Sequence, residues 1–228
     1  MKKIAVTVAL IATNMIVHPN SAKAQEGFQA GIEGTPQMSW LMNKDDMDNN
    51  QFEYLNTLTS SFGISAQYGY STTMGVGFNV LYSYQGQRYK FEGVEQIRKT
   101  EYLKIPLQLI FFNDIGANWM FIGKIGPQLG ILTNARLTNK DGGEIIKDHK
   151  NAYEDFDFGG ALSLGFGYKL TEMLSIDASL RGDYGFTDAE NKDYKKNINH
   201  PNGAVITSRV ITNNATAGVT VGLRYVFK

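Results

Sequence analysis

Apolar and polar residues alternate with period two through eight separate segments of this chain, and few architectures can use that pattern. In 101–112, Leu103, Ile105, Leu107, Leu109 and Phe111 fall on one side, with Tyr102, Lys104, Pro106 and Gln108 on the other. The same alternation runs through 28–40, 58–70, 75–87, 119–134, 156–169, 174–186 and 215–227. A period of two is the signature of β-strands, whose side chains point to opposite faces in turn. An apolar stripe on one face and lysine or glutamine on the other place the strand between two different media.

The connections decide which media. Short turns at 71–74, 113–118 and 171–173 alternate with long, charged connections at about 41–55, 88–100, 135–154 and 187–209. An even strand count with one short-turned and one long-looped end is the plan of an outer-membrane barrel. Each segment supplies the ~9–11 tilted residues that cross the hydrocarbon. Aromatic residues gather at the segment ends, as interfacial girdles require. Trp40, Tyr82, Tyr84, Phe156, Phe158, Tyr184 and Phe186 lie toward the long loops; Tyr68, Tyr70, Phe111, Trp119, Tyr168, Tyr225 and Phe227 lie toward the turns. The expected fold is all-β: an eight-stranded antiparallel up-and-down transmembrane β-barrel, closed because no sheet edge can stay unpaired in lipid. Both termini then lie on the short-turn, periplasmic side. Pro106 and Pro127 fall close together on adjacent strands, which predicts a bulge or weak seam because proline removes a ladder donor. Lys140-Asp-Gly-Gly-Glu144 reads as a tight turn between protruding strands.

The beginning of the chain is of another kind. Lys2 and Lys3 precede a mostly apolar stretch from Ile4 to Val17, and Ala22-Lys23-Ala24 offers a small-x-small cleavage site. This predicts a signal peptide over 1–24 and a barrel domain over 25–228. Cysteine is absent, so no disulfide framework holds the fold. Lys2, Lys3 and Lys23 leave with the signal, so 19 basic residues face 22 acidic ones in the mature chain, a formal charge of −3. That balance gives no basic surplus for nucleic acid.

A barrel of eight strands has an interior that side chains fill. Glu33, Lys104, Lys124, Asp157, Lys169, Asp177, Arg181, Asp183 and Arg224 fall on the polar faces, where buried charges must find partners. We expect a charge network there, centred on Glu33, Lys104, Lys124, Asp177, Arg181, Asp183 and Arg224, with no cofactor. Catalysis has little to build on: His149 and His200 both fall in long loops, where a histidine is expected to be solvated. Asp46-x-Asp48-x-Asn50 matches only half of a calcium loop, since Gln51 and Thr57 stand where glycine and glutamate complete the site. A solvated acidic loop is the expectation.

Two stretches carry a resemblance. Thr220-Val-Gly222-Leu-Arg-Tyr225-Val-Phe227 resembles the C-terminal assembly signal of outer-membrane barrels, although Lys228 follows the last aromatic. Tyr102-Leu-Lys-Ile-Pro-Leu107 resembles the Tyr-Leu-x-Ile-Pro-hydrophobic signature of the PorT-type outer-membrane β-barrel family, with Lys104 where that family commonly has glutamate. The resemblance implies a bacterial outer-membrane barrel, with Gly222, Tyr225 and Phe227 read by the barrel-assembly machinery. Its surroundings would be outer-membrane lipid and lipopolysaccharide. The expected function is a non-enzymatic barrel, structural or an accessory of a secretion or envelope machine, acting through loops or protein partners. The alternatives are an exported, soluble, lipocalin-like carrier with an apolar cavity, and a lipid-modifying barrel enzyme.

Overall fold

The computed structural model describes residues 26–48, 52–91, 93–193 and 210–227. In chain order the elements are β1 (Gly27–Asn43), α1 (Lys44–Asp48), β2 (Phe52–Leu55), β3 (Thr57–Gly69), β4 (Met74–Phe91) and β5 (Val94–Asp114). They continue as β6 (Trp119–Asn139), β7 (Glu144–Ile146), β8 (Phe156–Lys169), β9 (Leu174–Gly185) and β10 (Thr212–Val226). Consecutive long strands pair antiparallel, and β1 also pairs with β10, from Gln29↔Val226 to Asn43↔Thr212. That last pairing closes a ring of eight strands, β1-β3-β4-β5-β6-β8-β9-β10. The signal peptide expected over 1–24 lies outside the described residues.

The alternation read from the sequence sets the two faces. Ile32, Leu58, Leu107 and Leu180 point outward, 61%, 77%, 58% and 70% exposed, while Gln29, Ser83 and Gln108 turn inward and are buried. A lipocalin-like carrier would need the reverse, an apolar lining within. Here the outer wall is apolar, as a wall set in hydrocarbon must be. Among the described residues no helix is long and apolar enough to cross a membrane.

Three strands outrun the barrel at the long-loop end. The stretch 88–100 does not form a loop: β4 and β5 run on as a hairpin, from Gln85↔Thr100 to Phe91↔Val94. The alternation persists there, with Gln85, Gln87 and Tyr89 buried on one face. β6 follows to Asn139, and β2 and β7 pair with β4 and β6. The result is a five-stranded flange, β2-β4-β5-β6-β7. The seven residues of β4 after Tyr84 carry it roughly 18 Å past the aromatic girdle at the usual rise and tilt. The expected turn is present between β6 and β7, with Asn139 N–H donating to Gly143 O at 2.9 Å.

The two prolines interrupt the ladder without shifting it. Pairing of β5 with β6 stops at Pro106↔Gln128 and resumes at Leu109↔Ile125 in the same register. The bulge in this pair of strands lies instead between Glu101 and Tyr102, level with Thr133, where the barrel gives way to the flange.

Candidate functional site

The interior is layered. In its middle, Arg181 holds two acids: its Nε donates to Asp183 Oδ1 at 3.0 Å and its Nη1 to Glu33 Oε1 at 3.3 Å. The third guanidinium nitrogen donates to Gln128 Oε1 at 3.2 Å. Lys104 Nζ lies 3.1 Å from Asp183 Oδ2, which also accepts from Thr216. Asn79 donates to Glu33 at 2.6 Å. Lower down, Arg224 Nε donates to Asp177 Oδ1 at 3.0 Å. These residues come from six strands, so the network ties opposite walls together.

Three of the residues singled out from sequence sit apart. Lys124 is buried at the same level without an ion pair of its own among the described residues; Arg224, Glu33, Asp177 and Arg181 surround it. Asp157 lies higher, accepting from Asn214 and Thr187. Lys169 pairs with Asp114 at the short-turn rim, 3.1 Å away.

Apolar clusters bound this charged layer. Toward the turns, Ile110, Phe112, Met120 and Ile122 pack together on β5 and β6. The buried Gln29 and Gln67, hydrogen-bonded at 2.7 Å, fill the facing side. Toward the loops, Leu41, Tyr102, Leu132 and Ala135 pack with Ala152 and Tyr153, which belong to the connection between β7 and β8. That connection has folded back into the barrel mouth. His149 N–H donates to Ala135 O at 2.9 Å, and Glu154 N–H to Ala189 O at 3.0 Å. Backbone groups taken from water must be paired in this way.

Above this plug all four long connections meet around one guanidinium, that of Arg98 on β5. Its Cζ lies 4.9 Å from the centre of the Tyr89 ring, and its Nη1 donates to Glu190 Oε1 at 3.0 Å. Glu190 also accepts from Thr212 at 3.0 Å. Tyr54 stacks edge-on against Tyr89 with centroids 4.9 Å apart, and Asp46 is buried nearby. Burial opposes the charge on Arg98, but Tyr89, Tyr153, Glu190 and Asp46 together hold its pKa above the ordinary value. Burial pushes the Tyr89 phenol well up as well.

This cap corrects two sequence expectations. His149 is not solvated: it is buried, its ring 5.8 Å from that of Tyr153. Burial, and then Arg98, lower its pKa. The acidic stretch, expected to be a solvated loop, is a helical turn in which Asp46 alone is buried. Asn43 Oδ1 caps α1 by accepting from Asp45 and Asp46 N–H, which turns Asp46 inward and leaves Asp48 exposed. Asn50 and His200 lie outside the described residues. No group of three or more His, Asp or Glu side chains among the described residues could hold a metal ion.

The residues read as an assembly signal lie at the seam. Tyr225 and Phe227 point outward with ring centroids 5.0 Å apart, and Phe227 reaches Phe28 of β1 at 5.5 Å. Gly222 faces inward, where a Cβ would come within 2.7 Å of Asp177 Oδ1. Its bareness makes room for the Asp177–Arg224 pair.

Residues 21–191 match a family model described as "Outer membrane protein beta-barrel domain". The chain belongs to that family. No curated protein matches it. Among solved structures it is similar to neisserial surface protein A at 16% identity, covering 89% of this chain and 98% of that one, with a TM-score of 0.47. It is also similar to Escherichia coli outer membrane protein W at 15% identity, covering 90% of this chain and all of that one, with a TM-score of 0.43. The attachment invasion locus protein Ail of Yersinia pestis matches at 15% identity over 87% and 99% of the two chains, with a TM-score of 0.40.

Proposed function

We propose that this outer-membrane barrel is a non-conducting, non-enzymatic scaffold. Its work is done by the cap and flange at the long-loop end, as a structural element or as an accessory of a secretion or envelope machine. The observation that carries this reading is the layered lumen: a cross-linked charged middle bounded by apolar side chains toward both ends. Ions entering such an interior would have to displace paired charges and cross apolar packing, each at high cost. Kinship with the PorT-type branch rests on Tyr102–Leu107 alone. In this reading the short turns and both termini are periplasmic, and the cap and flange face outward from the cell.

The test is direct. Purified barrel in planar lipid bilayers should show no single-channel steps, and sustained openings would overturn the reading. Co-purification from mild-detergent extracts, with a tag placed after Gln25, separates its two forms. A reproducible protein partner marks an accessory, and the barrel alone marks a structural element.

A further inference from the structure

The outer face of the flange begins directly above Tyr82 and Tyr84, where a girdle marks the edge of the hydrocarbon. Reading upward, Tyr84 stands opposite Glu101, then Gly86 opposite Lys99 opposite Arg136, then Arg88 opposite Ile97. Lys99 and Arg136 are therefore direct cross-strand neighbours of the same charge, a placement that destabilises a sheet. The nearest carboxylates relieve it only on the Arg136 side. Glu101 is already engaged by Arg136, by the Tyr82 hydroxyl and by Asn134. Glu95 is taken by Arg88, with Lys140 3.9 Å away. Glu144 is 4.0 Å from Arg136, at the limit of contact. Lys99 has no ion pair of its own among the described residues. Beside it Gly86 has φ of +146°, and a Cβ there would lie 2.0 Å from Arg98 O. The position next to Lys99 thus stays bare, and Arg136 keeps about a third of its side chain exposed.

We infer that Lys99 and Arg136 form a docking site for a phosphate on the head group of an outer-leaflet glycolipid, whose acyl chains lie along the apolar wall below Tyr82 and Tyr84. A phosphate monoester carries more than one negative charge and accepts hydrogen bonds from both cations at once, which turns the like-charge pair into an attraction. The height fits a lipid rather than a free ion. The basic residues stand where head groups stand, immediately beyond aromatic side chains that favour the interface.

The site rests on the proposed orientation for the leaflet it names, but its chemistry is tested apart from that. The protein in detergent micelles is titrated with a diphosphorylated, acylated glucosamine disaccharide and with the same lipid lacking phosphates. Lys99→Gln should fold normally, because Lys99 supports nothing else. It should weaken binding of the phosphorylated lipid about fivefold, the value of one cation near a charged surface. Lys192→Gln, an exposed lysine outside the flange, should leave it unchanged. The phosphate-free lipid should bind no better to the wild type than to Lys99→Gln. Equal affinity of wild type and Lys99→Gln, or of the two lipids, overturns the site. Complete displacement by millimolar inorganic phosphate would also overturn it, in favour of a free-ion site. Labelling of Val94→Cys on intact cells reads the orientation separately; lack of labelling with lipid binding intact would sink the orientation and leave the site standing.

Discussion

Arg98 and Glu190, 92 positions apart in the chain, form an ion pair of 3.0 Å at the mouth of the barrel, and both side chains are largely buried. The pair joins the rigid flange to the connection between β9 and β10. That connection in turn holds the plug, because Asn191 N–H donates to Ala152 O at 2.9 Å. Two long segments are therefore fastened to one strand.

Cutting that fastening should open the cap without unfolding the barrel. Glu190→Gln removes the charge opposite Arg98, and breaking one side of a buried pair costs about 3–5 kcal/mol. The Glu154 amide, which bonds to Ala189, should then exchange with solvent at least a hundredfold faster, while amides of β8 and β9 stay protected. Hydrogen exchange by mass spectrometry checks this. Unchanged protection at Glu154 would show that the plug is held by its apolar contacts alone.

Acid should loosen the same cap through His149. Burial lowers its pKa in the closed cap, and Arg98 lowers it further, while Glu190 and Asp148 act against them. In an open cap the ring would titrate near ~6.5. The closed state then binds fewer protons, so its stability is complete above pH ~6.5 and falls as pH drops from there toward the lowered value. Proteolysis of the 147–155 segment should therefore be faster at pH 5.5 than at pH 7.5. His149→Phe should flatten that dependence; if the slope persists in this variant, His149 is not the group that titrates.

How much of this was legible follows from where period two holds. Leu103 to Phe111 and Val219 to Phe227 announce their faces because each strand separates lipid from a polar interior. The resulting wall places Glu33, Lys104, Asp177, Arg181, Asp183 and Arg224 inward without further assumption. Their partners were less readable. Pairing across the lumen depends on strand stagger, so the isolation of Lys124 beside four partnered neighbours has no counterpart in the sequence. The cap was missed almost entirely. Arg98, Tyr89 and Glu190 lie in charged stretches that read as solvated loops, and only the continued alternation of Gln85, Gln87 and Tyr89 hinted that β4 goes on. His149 misled for the same reason: a loop histidine is solvated unless the loop folds inward, and what drives this one inward is Ala152 and Tyr153 reaching the apolar plug.

Within the lumen, Arg181 is the residue whose loss should cost most. Arg181→Met fills similar volume but strips Glu33 and Asp183 of a shared cation, leaving Lys104 and Thr216 to Asp183, and to Glu33 the Asn79 hydrogen bond with Lys124 nearby. Stability against denaturant in detergent should fall by about 3–5 kcal/mol. Adding Glu33→Gln to Arg181→Met should restore part of it, because the stranded charge is gone. If the double variant is no more stable than the single one, the contribution of Arg181 is packing rather than charge.

The C-terminal strand allows assembly to be separated from stability. Gly222→Ala presses a methyl group toward Asp177 Oδ1, 2.7 Å from where its Cβ must lie, and should weaken the folded barrel wherever it is made. Phe227 points outward, where its ring meets Phe28 and Tyr225 and supports nothing inside the barrel. Phe227→Ala should therefore refold in detergent to nearly wild-type yield, yet reach the outer membrane in reduced amount, seen as less heat-modifiable protein on gels. Gly222→Ala should be defective in both settings. If Phe227→Ala fails equally in detergent, the aromatic pair holds the β1–β10 seam and is not a recognition signal. If it reaches the membrane at wild-type level, the likeness of Thr220–Phe227 to an assembly signal has no consequence in this chain.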